Sequence, residues 1–431
     1  MHVTYCSRRF LQPITRLAGA AALVLLTGTL AMAQKEATIH NFVGGTDGAY
    51  PEASLIADSA GNLYGTTLEG GSSPNCMAGS LGCGTVFELT PPGSGADHWT
   101  ETILYTFQGQ ADGESPAAPL VFDDAGNLYG TTLGAGQNND GVIFELSPPT
   151  QTNGAWNETV LYNFTAEVHG SSGLVIDGEG NLFGVSQGGQ PPEAYELSPP
   201  STPGGAWTFT VLHLFVAGLG GLNPSGLTLD KAGNLYGTSE IGGSGTGSCR
   251  RTHTCGLVFE LVRNPIAGDP WNEKVLYNFT GEDGDGATPF SGVVFHGGNN
   301  LYGTTADGGD ANGDGTVFEL SYSGGSWAET TLYEFNSATS GYRPEAGVVF
   351  DHEGNLYGTT YFGLDGEGGV YELSPPVEPG SSWTFTSLFN AGCGVGCATS
   401  TGLVLGTGNA LYGTMMQGGV EGLGSVYGVV P

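Results

Sequence analysis

Basic residues are scarce in this chain: its 431 residues hold 10 Lys and Arg against 42 Asp and Glu, a net charge of −32. Such a surface repels phosphate backbones and anionic lipid, so no nucleic-acid partner is expected. The charge has two uses left, solubility outside the cell and cation binding, and solubility is the simpler. Long apolar runs are also missing beyond the first 30 residues, where a membrane span needs roughly 18 of them. Sustained helical periodicity is absent throughout, which points to an all-β chain.

Residues 1–33 read as a signal peptide. Arg8, Arg9 and Arg16 give a positive start, Leu17–Leu30 an apolar run, and Ala31-Met32-Ala33 a small-residue cleavage site before Gln34. Ser7-Arg8-Arg9-Phe10-Leu11 is one residue short of the usual twin-arginine spacing, so Sec-type export is expected. Removing this segment leaves 7 Lys and Arg against 42 acids, a net charge of −35, on a secreted or periplasmic protein with no membrane insertion. Cysteine is sparse, and apart from Cys6 it comes in three close pairs: Cys76/Cys83, Cys249/Cys255 and Cys393/Cys397. None has zinc-site spacing, and an even count in an exported chain reads as disulfides stapling small loops.

What the chain has in abundance is repetition. Seven versions of Gly-Asn-Leu-Tyr-Gly-Thr-Thr centre on Tyr64, Tyr129, Phe183, Tyr236, Tyr302, Tyr357 and Tyr412. Arrays of this period are built from units that cannot bury their apolar faces alone. Each unit carries four short β-branched and aromatic runs, as in Gly173-Leu-Val-Ile-Asp177, Asn181-Leu-Phe-Gly-Val185, Ala194-Tyr-Glu-Leu197 and Trp207–Phe215. Asp58-x-x-Gly61 recurs as Asp123/Gly126, Asp177/Gly180, Asp230/Gly233 and Asp351/Gly354, the pattern of an Asp-capped turn closed by a glycine. Four antiparallel strands in each of seven units predict a seven-bladed β-propeller over residues 34–431. The last unit stops after its third strand, Gly424–Val430, and Lys35–Phe42 matches the missing fourth, so the N-terminal strand is expected to close the ring.

The run Asp-x-x-Gly-Asn-Leu-Tyr-Gly-Thr-Thr, followed by Gly-Gly and Gly-Thr-Val-Phe-Glu-Leu, resembles the GloVer-type tandem repeat of bacterial secreted proteins. Residues 58–67 with 84–89, and 351–360 with 369–373, carry the resemblance, which spans the mature chain. It implies an exported protein, often surface-attached through a C-terminal anchor, and names no activity. The chain ends at Pro431 directly after a strand, so anchoring is not expected here.

Candidate sites belong to the loops between strands two and three and between blades, which share one face of a propeller. The innermost strands, such as Gly292-Val-Val-Phe295 and Gly347-Val-Val-Phe350, carry no ionisable group, and acid–base catalysis needs one. Glu52 and Glu345 flank these strands and are the only carboxylates retained for an enzymatic role. The six Trp residues share one repeat position and read as structural, leaving Tyr50, Tyr342, Tyr361 and Phe362 as loop-face aromatics that could stack on a glycan. Asp310, Asn312 and Asp314, followed by Gly315, match the front half of a calcium loop, but Ser321 stands where the bidentate acid belongs. Calcium is therefore the one candidate cofactor. Asp47, Asp112 and Asp285, each followed by Gly, form a looser ring that turn geometry also explains. Arg250 and Arg251, between Cys249 and Cys255, make a basic finger for an acidic partner. The expectation is a monomeric, non-catalytic scaffold binding a protein or glycan, with an extracellular carbohydrate-active hydrolase or lyase as the alternative.

Overall fold

The computed structural model describes residues 35–77, 79–93, 98–151, 154–165, 173–186, 191–202, 204–216, 221–244, 249, 254–266, 268–364, 367–378, 380–391 and 401–431. They form seven four-stranded antiparallel sheets in chain order, the blades of a propeller. Blade one spans residues 56–106, blade two 121–163, blade three 175–214, blade four 222–278, blade five 294–334 and blade six 349–390. Blade seven takes three strands from residues 404–430 and its outermost strand, Lys35–Asn41, from the start of the unit. That strand pairs with Ser425–Val430 from Lys35↔Val430 to Asn41↔Ser425, which closes the ring as the repeat count requires.

Packing explains why the units need one another. The buried apolar residues fall into seven clusters, each drawing on two adjacent blades. At the closing seam, Phe42 and Val426 of blade seven meet Leu55, Leu63, Phe87 and Leu89 of blade one. Burial of this kind, worth roughly 25 cal/mol per Å² of apolar surface, is available only between neighbours. A register offset recurs between the third and outermost strands of every blade, at Val86/Phe87 in blade one and Thr38/His40 in blade seven. Bulges add twist, and here they drop Leu104, Leu212 and Leu388 into seam cores.

The innermost strands are shorter than the four-residue runs of the sequence imply. Five pair over only two residues, as in Ile56–Ala57 and Val404–Leu405, and in blades one, six and seven the preceding residues bond to a neighbouring blade instead. Blade four differs, with an innermost strand from Leu222 to Leu229 that is offset between Ser225 and Thr228. No helix among the described residues is long and apolar enough to cross a membrane.

Candidate functional site

The repeated motif is taken up by structure, residue by residue. Asp58 Oδ1 accepts the backbone N–H groups of Ala60 and Asn62, and Oδ2 accepts the Asn62 amide and the Tyr64 hydroxyl. Tyr64 also donates to Glu88 on the next strand, and burial with these two acids pushes its pKa up. Gly65 leaves room for Phe87, whose Cζ would stand 2.6 Å from an added Cβ. The second Thr of the motif bonds within the blade, Thr67 Oγ1 to Thr85 Oγ1 at 2.7 Å. The first Thr reaches the next blade: Thr238 donates to Ser291 O, Thr304 to Ala346 O, Thr359 to Thr401 O and Thr414 to Ala53 O, all at 2.7–3.0 Å. Thr66 departs from this pattern, since its buried hydroxyl has no partner among the described residues.

These ties converge on the centre of the ring, where a cavity of 290 Å³ opens. Every blade contributes to its wall, through Ser54, Pro119, Gly173, Gly226, Ser291, Gly347 and Gly402. Glu52 and Glu345 both line it, so the structure brings the two retained carboxylates into one cavity. Burial raises the Glu52 pKa, while Glu345 pairs with Arg343 at 2.5 Å. Tyr50, Ser115, Asn223, Thr288 and Arg343 all have φ between 53° and 61°, and each precedes a proline. The conformation serves the seam. The Tyr50, Ser115, Thr288 and Arg343 amides donate to Leu423, Cys83, Cys255 and Asp314 of the preceding blade, and the following prolines seat against its glycines.

The loop-face aromatics are split. Tyr342 stacks on Phe362 at 4.6 Å and Tyr361 meets the same ring edge-on at 4.7 Å, with the Arg343 guanidinium 6.0 Å from the Tyr361 centroid. Tyr50 stands in another blade, its backbone pinned to Leu423 and Leu68. The half calcium loop edges a second cavity, of 520 Å³, with Asp283, Asp307, Asp310 and Glu334 in its wall. Asp310 accepts from Asn312 N and from the Asn312 and Asn336 amides, and Asp314 accepts from Ser337 N at 2.8 Å. These carboxylates therefore work as turn caps.

The outer seams hold acids that chain order alone does not reveal. Asp112 accepts the Tyr105 hydroxyl at 2.9 Å beside Glu158 of the next blade, and Asp285 stands likewise beside Tyr277 and Glu329. Where the next blade offers Phe in place of Glu, the tyrosine stacks on it: Tyr162 on Phe209 at 4.2 Å, Tyr333 on Phe385 at 4.9 Å. At the closing seam the tyrosine is replaced by His40, whose Nε2 lies 3.1 Å from Asp47 Oδ1 and 3.5 Å from Glu101 Oε1. Burial, reinforced by Asp47, pushes Glu101 up to about 9; burial lowers His40 against the opposing pull of Asp47. The Asp-Gly pairs of the sequence are thus acceptors for the tyrosine or histidine of the preceding strand, beside a glutamate of the next blade, as well as turn formers.

A family model described as the Gloeobacter/Verrucomicrobia repeat matches residues 27–250 and 245–431. The chain belongs to that family. No curated protein matches it. Among solved structures, the extracellular domain of a B. thetaiotaomicron protein described as a hybrid two-component system superposes with a TM-score of 0.51 at 11% identity, over 90% of this chain and 39% of that one. A protein from Lactobacillus plantarum gives 0.49 at 13% identity, covering 81% and 86% of the two chains. The PQQ domain of pyranose dehydrogenase from Coprinopsis cinerea gives 0.45 at 15%, covering 92% and 97%. At 11% identity the likeness to the first of these is one of fold.

Within the family repeat, the sequence missed the outer seam clusters, whose signal was nonetheless present: His40 and His213 interrupt a column otherwise filled by Tyr or Phe. The Cys76–Cys83 and Cys249–Cys255 disulfides are formed. Cys393, Cys397, Arg250 and Arg251 lie outside the described residues.

Proposed function

We propose that this chain is an exported, monomeric, non-catalytic binding propeller that receives a glycan or a polypeptide at the mouth of its ring. One observation carries the reading. The central cavity is walled from all seven blades mainly by small neutral groups, and of its two carboxylates Glu345 is already paired with Arg343. Such a wall offers hydrogen bonds and shape rather than a matched acid and base. The aromatic group of Tyr342, Tyr361 and Phe362 adds stacking surface beside Arg343 and Glu345. Two disulfides support an oxidising destination, and the start of the exported protein at Gln34 is read by N-terminal sequencing.

A carbohydrate-active enzyme is the second reading, favoured by the raised pKa of Glu52 in that cavity, as a general acid requires. Glycan and peptide arrays, paired with product analysis on each ligand retained, separate the two. Saturable binding without turnover, weakened by Tyr342→Ala, supports the scaffold. Turnover that Glu52→Gln and Glu345→Gln both abolish establishes the enzyme instead.

A further inference from the structure

Three metal-ligating side chains from separate segments converge at the closing seam. His40 comes from the outermost strand of blade seven, Asp47 from the turn leading into blade one, and Glu101 from the outermost strand of blade one. One ligand atom from each lies within 4.8 Å of the others, the only such set among the described residues. Zinc bonds of about 2.0–2.1 Å in a tetrahedron put ligand atoms about 3.3 Å apart. Two of the three edges, from His40 Nε2 to Asp47 Oδ1 and to Glu101 Oε1, are 3.1 and 3.5 Å and bracket that value, and the third, between the two carboxylates, lies within 4.8 Å. Glu101 Oε1 is buried and receives no hydrogen bond, as are Glu158 Oε1 and Glu273 Oε1 at other seams, but among the described residues it is the one with both a ring nitrogen and a second carboxylate beside it, an arrangement a cation would satisfy. The other oxygen of Asp47 accepts the Val43 N–H, which leaves Oδ1 turned to the imidazole, the outer-shell support that ligating carboxylates usually have.

The repeat supplies its own control. At the seams of Asp112 and Asp285 the place of His40 is held by Tyr105 and Tyr277, so the two acids face a phenol instead of a ring nitrogen. At the seam of His213, which lies 3.3 Å from Glu273, no carboxylate corresponding to Asp47 is found among the described residues. Among the described residues, histidine, aspartate and glutamate coincide only where the ring closes.

We propose that His40, Asp47 and Glu101 form a zinc site that ties the N-terminal strand to blade one. The three side chains are 20%, 18% and 14% exposed, enough for an ion to enter from solvent and keep a water as its fourth ligand. Bound there, zinc joins the two ends of the ring and slows its opening.

Zinc chloride titrated into the metal-stripped mature protein tests this by calorimetry, with hydrogen exchange over residues 36–42 as a second readout. The expected result is one zinc per chain and slower exchange of that strand with the ion bound. The deciding variant is His40→Tyr, which supplies the residue that four other seams carry, at Tyr105, Tyr162, Tyr277 and Tyr333, and so keeps the fold while removing the nitrogen. It should bind zinc at least about tenfold more weakly and lose the zinc-dependent protection, and Glu101→Gln should behave likewise. No stoichiometric binding in the wild type, or equal binding in folded His40→Tyr, overturns the proposal.

Discussion

At the residue scale, the seven-fold motif serves construction: its polar groups hold turns and its small residues admit neighbours. Gly65 illustrates the second use. An added Cβ would stand 2.6 Å from Phe87 Cζ and 2.8 Å from Leu55 Cδ2, and both rings and branches there are buried in the closing seam. Neither can retreat, so Gly65→Ala should destabilise the chain by about 1–3 kcal/mol, the usual cost of overpacking. Phe87→Leu alone should also destabilise by opening a gap, yet in the double variant the new methyl occupies part of that gap. Urea denaturation of the three variants should therefore give a double loss smaller than the sum of the singles. Additive losses would show that Gly65 is required for something other than this contact.

At the scale of elements, two segments make separable claims. The strand Lys35–Asn41 supplies the outer edge of blade seven, and Phe42 behind it is fully buried against blade one. Deleting residues 35–42 should expose an unpaired edge and promote association, visible by size-exclusion chromatography, while in the intact chain residues 36–42 and 425–430 should exchange together. Fast exchange of the N-terminal strand alone would mean that the ring does not depend on it. The loop of Asp310, Asn312 and Asp314 already uses its carboxylates as acceptors for Asn312, Asn336 and Ser337. Calcium and magnesium at equal ionic strength should then shift the melting temperature alike; a saturable rise specific to calcium and lost in Asp314→Ala would instead establish a site. Periodicity made the strands, the turns and the closing strand legible, because each is specified within one unit or by an unpaired remainder. The outer seams stayed hidden: Asp112 and Glu158 lie 46 positions apart and meet only once blades two and one pack. Likewise, the two-residue inner strands could not be read from four apolar residues in a row, since Ser54 spends its hydroxyl on Gly402 of another blade.

At the scale of the whole molecule, the seams make stability depend on pH with a sign opposite to ordinary acid denaturation. Burial, with Asp112 adding to it, raises Glu158 to about 7; burial raises Glu329 to about 7, with Asp285 adding to the shift. Each acid holds its proton more tightly folded than unfolded, so its contribution is complete below the ordinary glutamate value of 4.5 and fades as pH rises through about 7. In metal-free protein Glu101 extends the loss toward about 9. His40 runs the other way, its pKa lowered by burial, but its contribution is already complete above its ordinary 6.5 and cannot offset the decline beyond that. General repulsion among the acids of this chain also grows with pH, and salt distinguishes the two causes: surface repulsion is screened, whereas desolvated seam acids are screened far less. Urea midpoints measured from pH 4.5 to 9 in moderate salt should fall, and the fall should be shallower in Glu158→Gln and Glu329→Gln, where a neutral amide replaces the titrating group. A profile that salt flattens completely, or that both variants leave unchanged, would assign the pH dependence to surface charge and leave the seam acids without a part in it.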